Sequence, residues 1–342
     1  MKINKTNISL DSEPYIIAEL SGNHEGKIEN FIKLVNVAKI AGANAIKLQT
    51  FKPEEITINS KKKYFIVKHK FEKWNDKTLF DLYNEAYTPW EWHKPLLQLA
   101  KKNKLDFIAT PFHETAVDFL KNLKASCLKI SSFEFNDHNL INYASKKKIP
   151  MILSSGMASK KEIETNFKIL KKNLKKNFAF LKCSSSYPAI YNELNLKTIN
   201  EMRKKLKCEI GFSDHTLDNV ASIAAISQGA SIIEKHICLN SKTGIDSNFS
   251  QTPEKFIKFV KDCKMSWRSL GKIKFGPTYS EKESYKNRRS LFAIKKIAVG
   301  EKFTYNNVAS VRPANGLKPI YLRKLIGKKS KKKFSSGDPI KI

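Results

Sequence analysis

Short apolar runs alternate with amphipathic stretches along most of the chain. The runs are Tyr15 to Leu20, Ala45 to Thr50, Leu105 to Phe112 and Cys127 to Glu134, then Pro150 to Gly156, Phe178 to Pro188, Glu209 to His215 and Ser231 to Leu239. Continuous apolar runs of this length suit strands buried on both faces of a parallel sheet. Between them, stretches such as Ile28 to Gly42 and Leu217 to Gly229 space their apolar residues as helices do, and both end at glycine. Eight β-then-α units predict an α/β fold, a (β/α)8 TIM barrel. Catalysis in that fold belongs at the C-terminal ends of the strands. Glu19, Gln49, Thr110, Glu134, Ser154, Tyr187, His215 and His236 fall there, with Lys129 a few residues earlier on its strand.

The barrel pattern closes with a helix over Pro253 to Leu270, so residues 1–270 read as the catalytic domain. A Gly-, Pro-, Ser- and charge-rich linker follows at residues 271–287. From Arg288 to Ile342 the texture changes to short β-like runs punctuated by Gly300, Gly316, Gly327 and Gly337, which predicts a small, mainly β domain. The segment Lys52 to Pro89 is longer than a barrel connection requires. Such an insertion at the mouth is expected to shape the substrate pocket.

Composition narrows the class. The chain has 342 residues, enough for one barrel and a small extra domain. No apolar stretch approaches the roughly 18 residues needed to span a bilayer, and no signal-peptide core precedes the first strand. A cytoplasmic enzyme with no membrane partner is expected. Cys127, Cys183, Cys208, Cys238 and Cys263 are dispersed without CxxC spacing, which argues against a disulfide framework or a structural zinc site and predicts buried, small apolar roles. The net charge of +31 raises nucleic-acid binding. The lysines, however, are spread over predicted outer helices, as at Lys101, Lys102 and Lys104 or Lys171, Lys172, Lys175 and Lys176. No nucleic-acid partner is expected.

Three constellations carry chemistry. His215 and His236 end neighbouring strands, in SDH and EKH, each closely preceded by an acidic residue. Imidazoles placed so can hold a divalent metal, with nearby carboxylates orienting the rings. Glu134, at the end of KISSFE, and Lys129 suit a general acid/base and an anion-binding ammonium. Their odd offset requires the strand end to bend if both are to face inward. The hydroxyls of CSSSYP (Cys183 to Pro188) and SSG (Ser154 to Gly156), with Lys47, Lys129 and Thr110, suit a phosphate and a carboxylate.

These residues resemble the sialic acid synthase family of phosphoenolpyruvate-condensing enzymes. The matching motifs are AELSGNHEG, GANAIKLQTF, ATPF, KISSFE, SSGMAS, LKCSSSYP, GFSDHT and EKH, followed by SLFAIKKIAVGE and SVRPANG, which resemble the family's antifreeze-like SAF domain. The resemblance implies condensation of phosphoenolpyruvate with the open-chain aldehyde of an acetamido sugar, with water added and phosphate lost. It implies Glu134 and Lys129 as catalytic groups, and Lys47, Thr110, Lys129, Ser132, Ser154, Ser185 and Ser213 around phosphoenolpyruvate. It further implies Glu25, Tyr187, Asp246 and Arg312 at the sugar, and His215 and His236 on a divalent metal, Mn or Mg with Co as a third choice. Arg312 would reach in from the partner subunit of a domain-swapped homodimer.

Within the family, Ser185 (where sialic acid synthases typically place Asn), the insertion Lys61 to His93 and DSNFS (Asp246 to Ser250) resemble the pseudaminic branch, whereas Glu25 is shared with some sialic acid synthases. An N-acetylneuraminate or legionaminate synthase is the alternative. An ice-binding role for the C-terminal domain is disfavoured by its lysine content.

Overall fold

Eight parallel strands form a closed barrel in the computed structural model, which describes residues 1–69, 71 and 73–341. They are β1 (Tyr15–Glu19), β2 (Ala45–Thr50), β3 (Asp106–Pro111), β4 (Cys127–Ile130), β5 (Met151–Ser154), β6 (Phe178–Cys183), β7 (Glu209–Asp214) and β8 (Ile232–His236). Each pairs with the next, and β8 returns to β1 with Ile232 opposite Tyr15 and His236 opposite Glu19. Two apolar layers result from the period of two along each strand. One fills the lower barrel interior and includes Ile17, Ile108, Ile152, Ala179 and Leu181. The other lies between strands and helices and includes Leu48, Leu128, Ile130, Leu153 and Phe212. Full burial of such aliphatic or aromatic side chains is worth about 1.5–3 kcal/mol each.

The expected helix over Ile28 to Gly42 is present as Ile28–Ala41. Gly42 ends it at φ 77°, ψ 31°, the left-handed conformation glycine adopts without a Cβ penalty. Pro253 opens the last barrel helix, Pro253–Leu270, where its missing N–H costs nothing. The sequence gives no warning of a short hairpin, Lys2–Ile3 paired with Thr6–Asn7, whose flanking Ile3 and Ile8 join the interior layer. At the mouth, β4 stops at Ile130 and β6 at Cys183, so Glu134 and Tyr187 lie on the turns beyond their strands. That departure from regular strand supplies the bend that the offset between Lys129 and Glu134 demands.

Two compact units are present, Met1–Gly271 and Lys272–Ile342. The second is less regular than its sequence texture suggests. β9 (Ser290–Ala293) pairs antiparallel with β10 (Val308–Val311), and other extended segments meet only at single bridges, Phe292 with Pro339, Ile297 with Phe334 and Lys302 with Lys329. Its own core includes Leu291, Ile297, Phe303, Val308, Leu325, Phe334 and Ile340. Among the described residues, no helix is long and apolar enough to cross a membrane. The lysines named above at residues 101–104 and 171–176 are exposed.

Candidate active site

A cavity of about 670 Å³ opens at the C-terminal mouth of the barrel. Lys47 on β2 and Lys129 on β4 face into it, with Glu19 on β1 and Glu234 on β8. All four are buried. Lys47 Nζ lies 2.7 Å from Glu19 Oε2 and 3.5 Å from Glu234 Oε1, and Lys129 Nζ lies 3.7 Å from Glu234 Oε2. Lys129 also donates to Ser154 Oγ at 2.6 Å, Lys47 to Thr110 Oγ1 at 3.3 Å, and Ser213 to Glu234 Oε1 at 3.3 Å. The Lys47–Glu19 contact is a close ion pair through Oε2, and the other carboxyl oxygen, Oε1, is buried without a hydrogen-bond partner.

Burial and repulsion from Glu234 push the Glu19 carboxyl up to about 7, against the pull of Lys47. Glu234 resists the same burial because Lys129 and Lys47 flank it, and it is held below the usual carboxylate range. Burial lowers Lys129 despite the nearby Glu234, while for Lys47 the two carboxylates outweigh burial and raise it. Below about pH 7, where Glu19 takes up a proton, two ammonium groups face one carboxylate, a net positive pocket for an anion. Uncompensated charge in so dry a place is expensive without a ligand or a use.

Hydroxyls crowd the same side. Ser132, Ser154, Ser185 and Ser213 all line the cavity. Gly156 lies between two of them: a Cβ there would come within 2.4 Å of Ser185 Oγ and 2.6 Å of Ser132 Oγ. Glycine therefore lets both hydroxyls converge, and its N–H donates to Ser132 Oγ at 3.1 Å. Ser185 Oγ is buried with no partner, a donor left for a ligand.

Glu134 also lines the cavity. Ser131 donates to its Oε2, and burial raises its carboxyl above the ordinary glutamate value, the direction that suits a general base near neutral pH.

His215 and His236 stand with ring centroids 5.3 Å apart. His215 Nδ1 is 2.8 Å from the Ser184 carbonyl, which can only accept, so Nδ1 carries a proton; burial lowers this imidazole, but the neighbouring Cys183 outweighs it and raises the ring above its usual value. His236 Nδ1 is buried with no partner, and burial with the neighbouring positive groups holds its imidazole neutral. In their neutral forms the two rings fit a divalent metal whose other positions belong to water and substrate, and for His215 this means giving up the proton that Cys183 favours. Among the described residues no third His, Cys, Asp or Glu joins them as a ligand cluster. Neither acidic neighbour hydrogen-bonds an imidazole directly. Asp214 points to the opposite face of its strand from His215, as period two requires, and Glu234 is engaged by the lysines and Ser213.

The opposite wall is apolar and aromatic. The insertion supplies Ile56, Val67, Trp74, Leu79, Leu82 and Tyr83, as its length led one to expect. Trp74 Nε1 donates to the Ile245 carbonyl at 2.9 Å, and Lys73 Nζ donates to the carbonyls of Lys242 and Gly244, fastening the insertion to the loop after β8. Tyr187 packs on His215 at 4.5 Å and on Phe249 at 4.8 Å. Asp246 accepts from Ser21 Oγ and, at 3.3 Å, from Gly22 N. Burial raises its carboxyl.

Eleven of the residues expected in the site line this cavity: Lys47, Lys129, Ser132, Glu134, Ser154, Ser185, Tyr187, Ser213, His215, His236 and Asp246. Thr110 stands behind Lys47 as its hydrogen-bond acceptor and is not on the wall. Glu25 is not brought to the site: its backbone turns at φ 53° and its side chain is exposed. Arg312 is exposed in the second unit. Sequence reasoning placed Glu19 at a strand end without a role and missed the pairing of Glu19 and Glu234 with the lysines. It also read Cys183 as a plain core residue. Its thiol lies on the cavity wall 3.9 Å from His215 Nδ1, and this neighbour outweighs burial to lower it to about 7. The signal available for all three was their inward parity with Lys47, Lys129 and His236.

Comparison with known proteins places this geometry. A model of the NeuB family matches residues 34–275, and a model of the SAF domain matches residues 288–342. A pseudaminic acid synthase of Campylobacter jejuni is 39% identical over 339 residues, covering 98% of this chain and 97% of that protein. An N,N'-diacetyllegionaminic acid synthase of the same organism is 32% identical over 334 residues, covering 95% and 98%. Among solved structures, an N-acetylneuraminic acid (sialic acid) synthetase from Leptospira borgpetersenii, in complex with citrate, superposes with a TM-score of 0.73 at 31% identity, covering 83% of this chain and 94% of that one.

Proposed function

Because the chain belongs to the NeuB family and carries an SAF domain, we propose that its barrel mouth condenses phosphoenolpyruvate with 2,4-diacetamido-2,4,6-trideoxy-L-altrose and water, giving pseudaminic acid and phosphate. C3 of the enolpyruvate bonds to C1 of the open-chain sugar, water adds at C2, and the C2–O bond to phosphate breaks. The observation that carries the reading is the end-to-end similarity to a pseudaminic acid synthase. The lower similarity to a legionaminic acid synthase makes that sugar the second reading, with the same chemistry.

The residues suit each step. Lys47 and Lys129, with Ser132, Ser154, Ser185 and Ser213, form the positive, hydroxyl-rich side for the phosphate and carboxylate of phosphoenolpyruvate. Glu134 takes a proton from the attacking water. His215 and His236 would hold a divalent metal, and that ion, when bound, would supply Lewis-acid polarisation of the aldehyde oxygen. Tyr187, Asp246 and the apolar wall from the insertion receive the sugar, whose missing 6-hydroxyl suits Val67, Trp74 and Leu82. Arg312 completes the sugar side from the partner subunit of a homodimer. The segment from Arg288 onward is small for an independent domain, and seventeen linker residues can extend about 50 Å at roughly 3.3 Å each.

The test is phosphate release from phosphoenolpyruvate with each candidate sugar. Release that requires the altro-configured diacetamido sugar supports the reading. Release with N-acetylmannosamine or the legionaminate precursor alone would replace it.

A further inference from the structure

The layer between strands and helices is apolar at almost every outward strand position, as at Ala18, Leu48, Ile130 and Leu153. Asp214 and Lys235 break that rule. They are opposite one another in the β7–β8 register, each fully buried, with Lys235 Nζ 3.0 Å from Asp214 Oδ2. Each immediately precedes an inward histidine, His215 and His236. A barrel gains little stability from such a pair, since well-packed apolar residues commonly serve as well in its place.

The hydrogen bonds show what the pair does instead. Lys235 Nζ donates to the carbonyl of Thr216 at 2.6 Å and to that of Asp218 at 3.1 Å. Gln251 Nε2 donates to the carbonyl between them, Leu217, at 2.9 Å, and the Gln251 N–H donates to the His236 carbonyl at 2.9 Å. Three successive carbonyls after His215 are thus tied to the strand that bears His236. Asp214 fixes the start of the same loop. Its Oδ1 accepts from the Thr216 N–H and hydroxyl, both at 2.8 Å, and its Oδ2 accepts from Ser222 at 2.6 Å. The ammonium also lies 5.6 Å from the centre of the Phe259 ring.

We propose that Asp214 and Lys235 form a buried clamp that sets the spacing and aim of His215 and His236, making them positioning residues for the two-histidine site. This rests on the reading of those histidines as metal ligands. Outer groups that orient metal ligands typically cost about 10- to 100-fold in metal affinity when lost.

The test uses the metal-stripped, full-length protein and measures Mn(II) affinity, phosphoenolpyruvate affinity and thermal stability. Asp214→Asn combined with Lys235→Met removes both charges together, so neither is left buried alone, and Asn keeps an acceptor for Thr216. The expected result is Mn(II) binding about 10- to 100-fold weaker with phosphoenolpyruvate affinity unchanged. A folded double variant with parental Mn(II) affinity, or one that loses both ligands equally, overturns the clamp. Should the double variant not fold, Ser222→Ala decides. It keeps both charges and releases one Asp214 bond, and it is expected to weaken Mn(II) several-fold; unchanged affinity overturns the proposal. If the parent itself binds no Mn(II), the metal reading fails and the clamp with it, which is distinguished by the loss being in the parent.

Discussion

Replacing Glu134 by Gln isolates one proton transfer. The amide has the shape of the carboxyl, and its oxygen can still accept from Ser131, so the turn beyond β4 should persist. What vanishes is the base. General acid/base steps contribute about 10²- to 10⁴-fold, which at about 1.36 kcal/mol per decade is roughly 2.7–5.4 kcal/mol on the barrier. Steady-state phosphate release should therefore show kcat falling by that factor, with phosphoenolpyruvate binding retained because Lys47, Lys129 and the serines are untouched. The pH profile gives a second readout. Burial raises the Glu134 carboxyl in the free protein, and the base works only when ionised, so the acid limb of kcat/KM should lie above the ordinary glutamate value and disappear in the variant. Stability follows the same sign. A carboxyl raised in the folded state contributes stability below its unfolded pKa and loses it as pH rises through the folded value. The Gln variant should thus equal the parent in acid and gain on it toward neutrality. A kcat within a few-fold of the parent, or an unchanged acid limb, would refute the role given to Glu134.

Three further outcomes are expected. Chelation should abolish turnover and Mn(II) restore it, while His236→Ala loses Mn(II) affinity but keeps a parental circular dichroism spectrum; full activity in rigorously metal-stripped protein would contradict this. Trp74→Ala should raise KM for the sugar about tenfold or more without changing KM for phosphoenolpyruvate, since a single aromatic face in a binding site is commonly worth more than 1 kcal/mol; equal effects on both substrates would place Trp74 outside sugar recognition. Arg312→Ala and Glu134→Gln should each be nearly inactive alone yet regain activity as mixed heterodimers, because one of the two sites then carries neither substitution. Heterodimers that form and stay inactive would show that the site is not shared.

The barrel was readable because its strands are buried on both faces. Ala45–Thr50 and Pro253–Leu270 have the limits that their apolar pattern and N-terminal proline predict. Strand ends were less legible. Nothing local in KISSFE marks the stop at Ile130, because the turn is fixed by Ser131 bonding Glu134 and by Gly156 bonding Ser132 across to the next unit. Individual site residues were visible as polar interruptions of apolar runs. Their mutual arrangement was not: residues 19, 47, 129 and 234 meet only through barrel closure and register. Glu25 shows the converse, since a motif match does not reveal a backbone that turns the side chain to the surface. The small β domain was legible from its texture, though not how its strands meet. Its β-like residues make a core through loops and single bridges rather than long ladders.

The most direct measurement is a competition. The full-length protein, Mn(II) and limiting phosphoenolpyruvate are given equal amounts of 2,4-diacetamido-2,4,6-trideoxy-L-altrose and N-acetylmannosamine, and the nine-carbon acids are resolved by mass. The ratio of products reports the ratio of kcat/KM for the two sugars. The predicted result is a large excess of the diacetamido trideoxy acid, matched mole for mole by released phosphate. A mixture dominated by the N-acetylneuraminate mass, or phosphate released without either acid, would contradict the account.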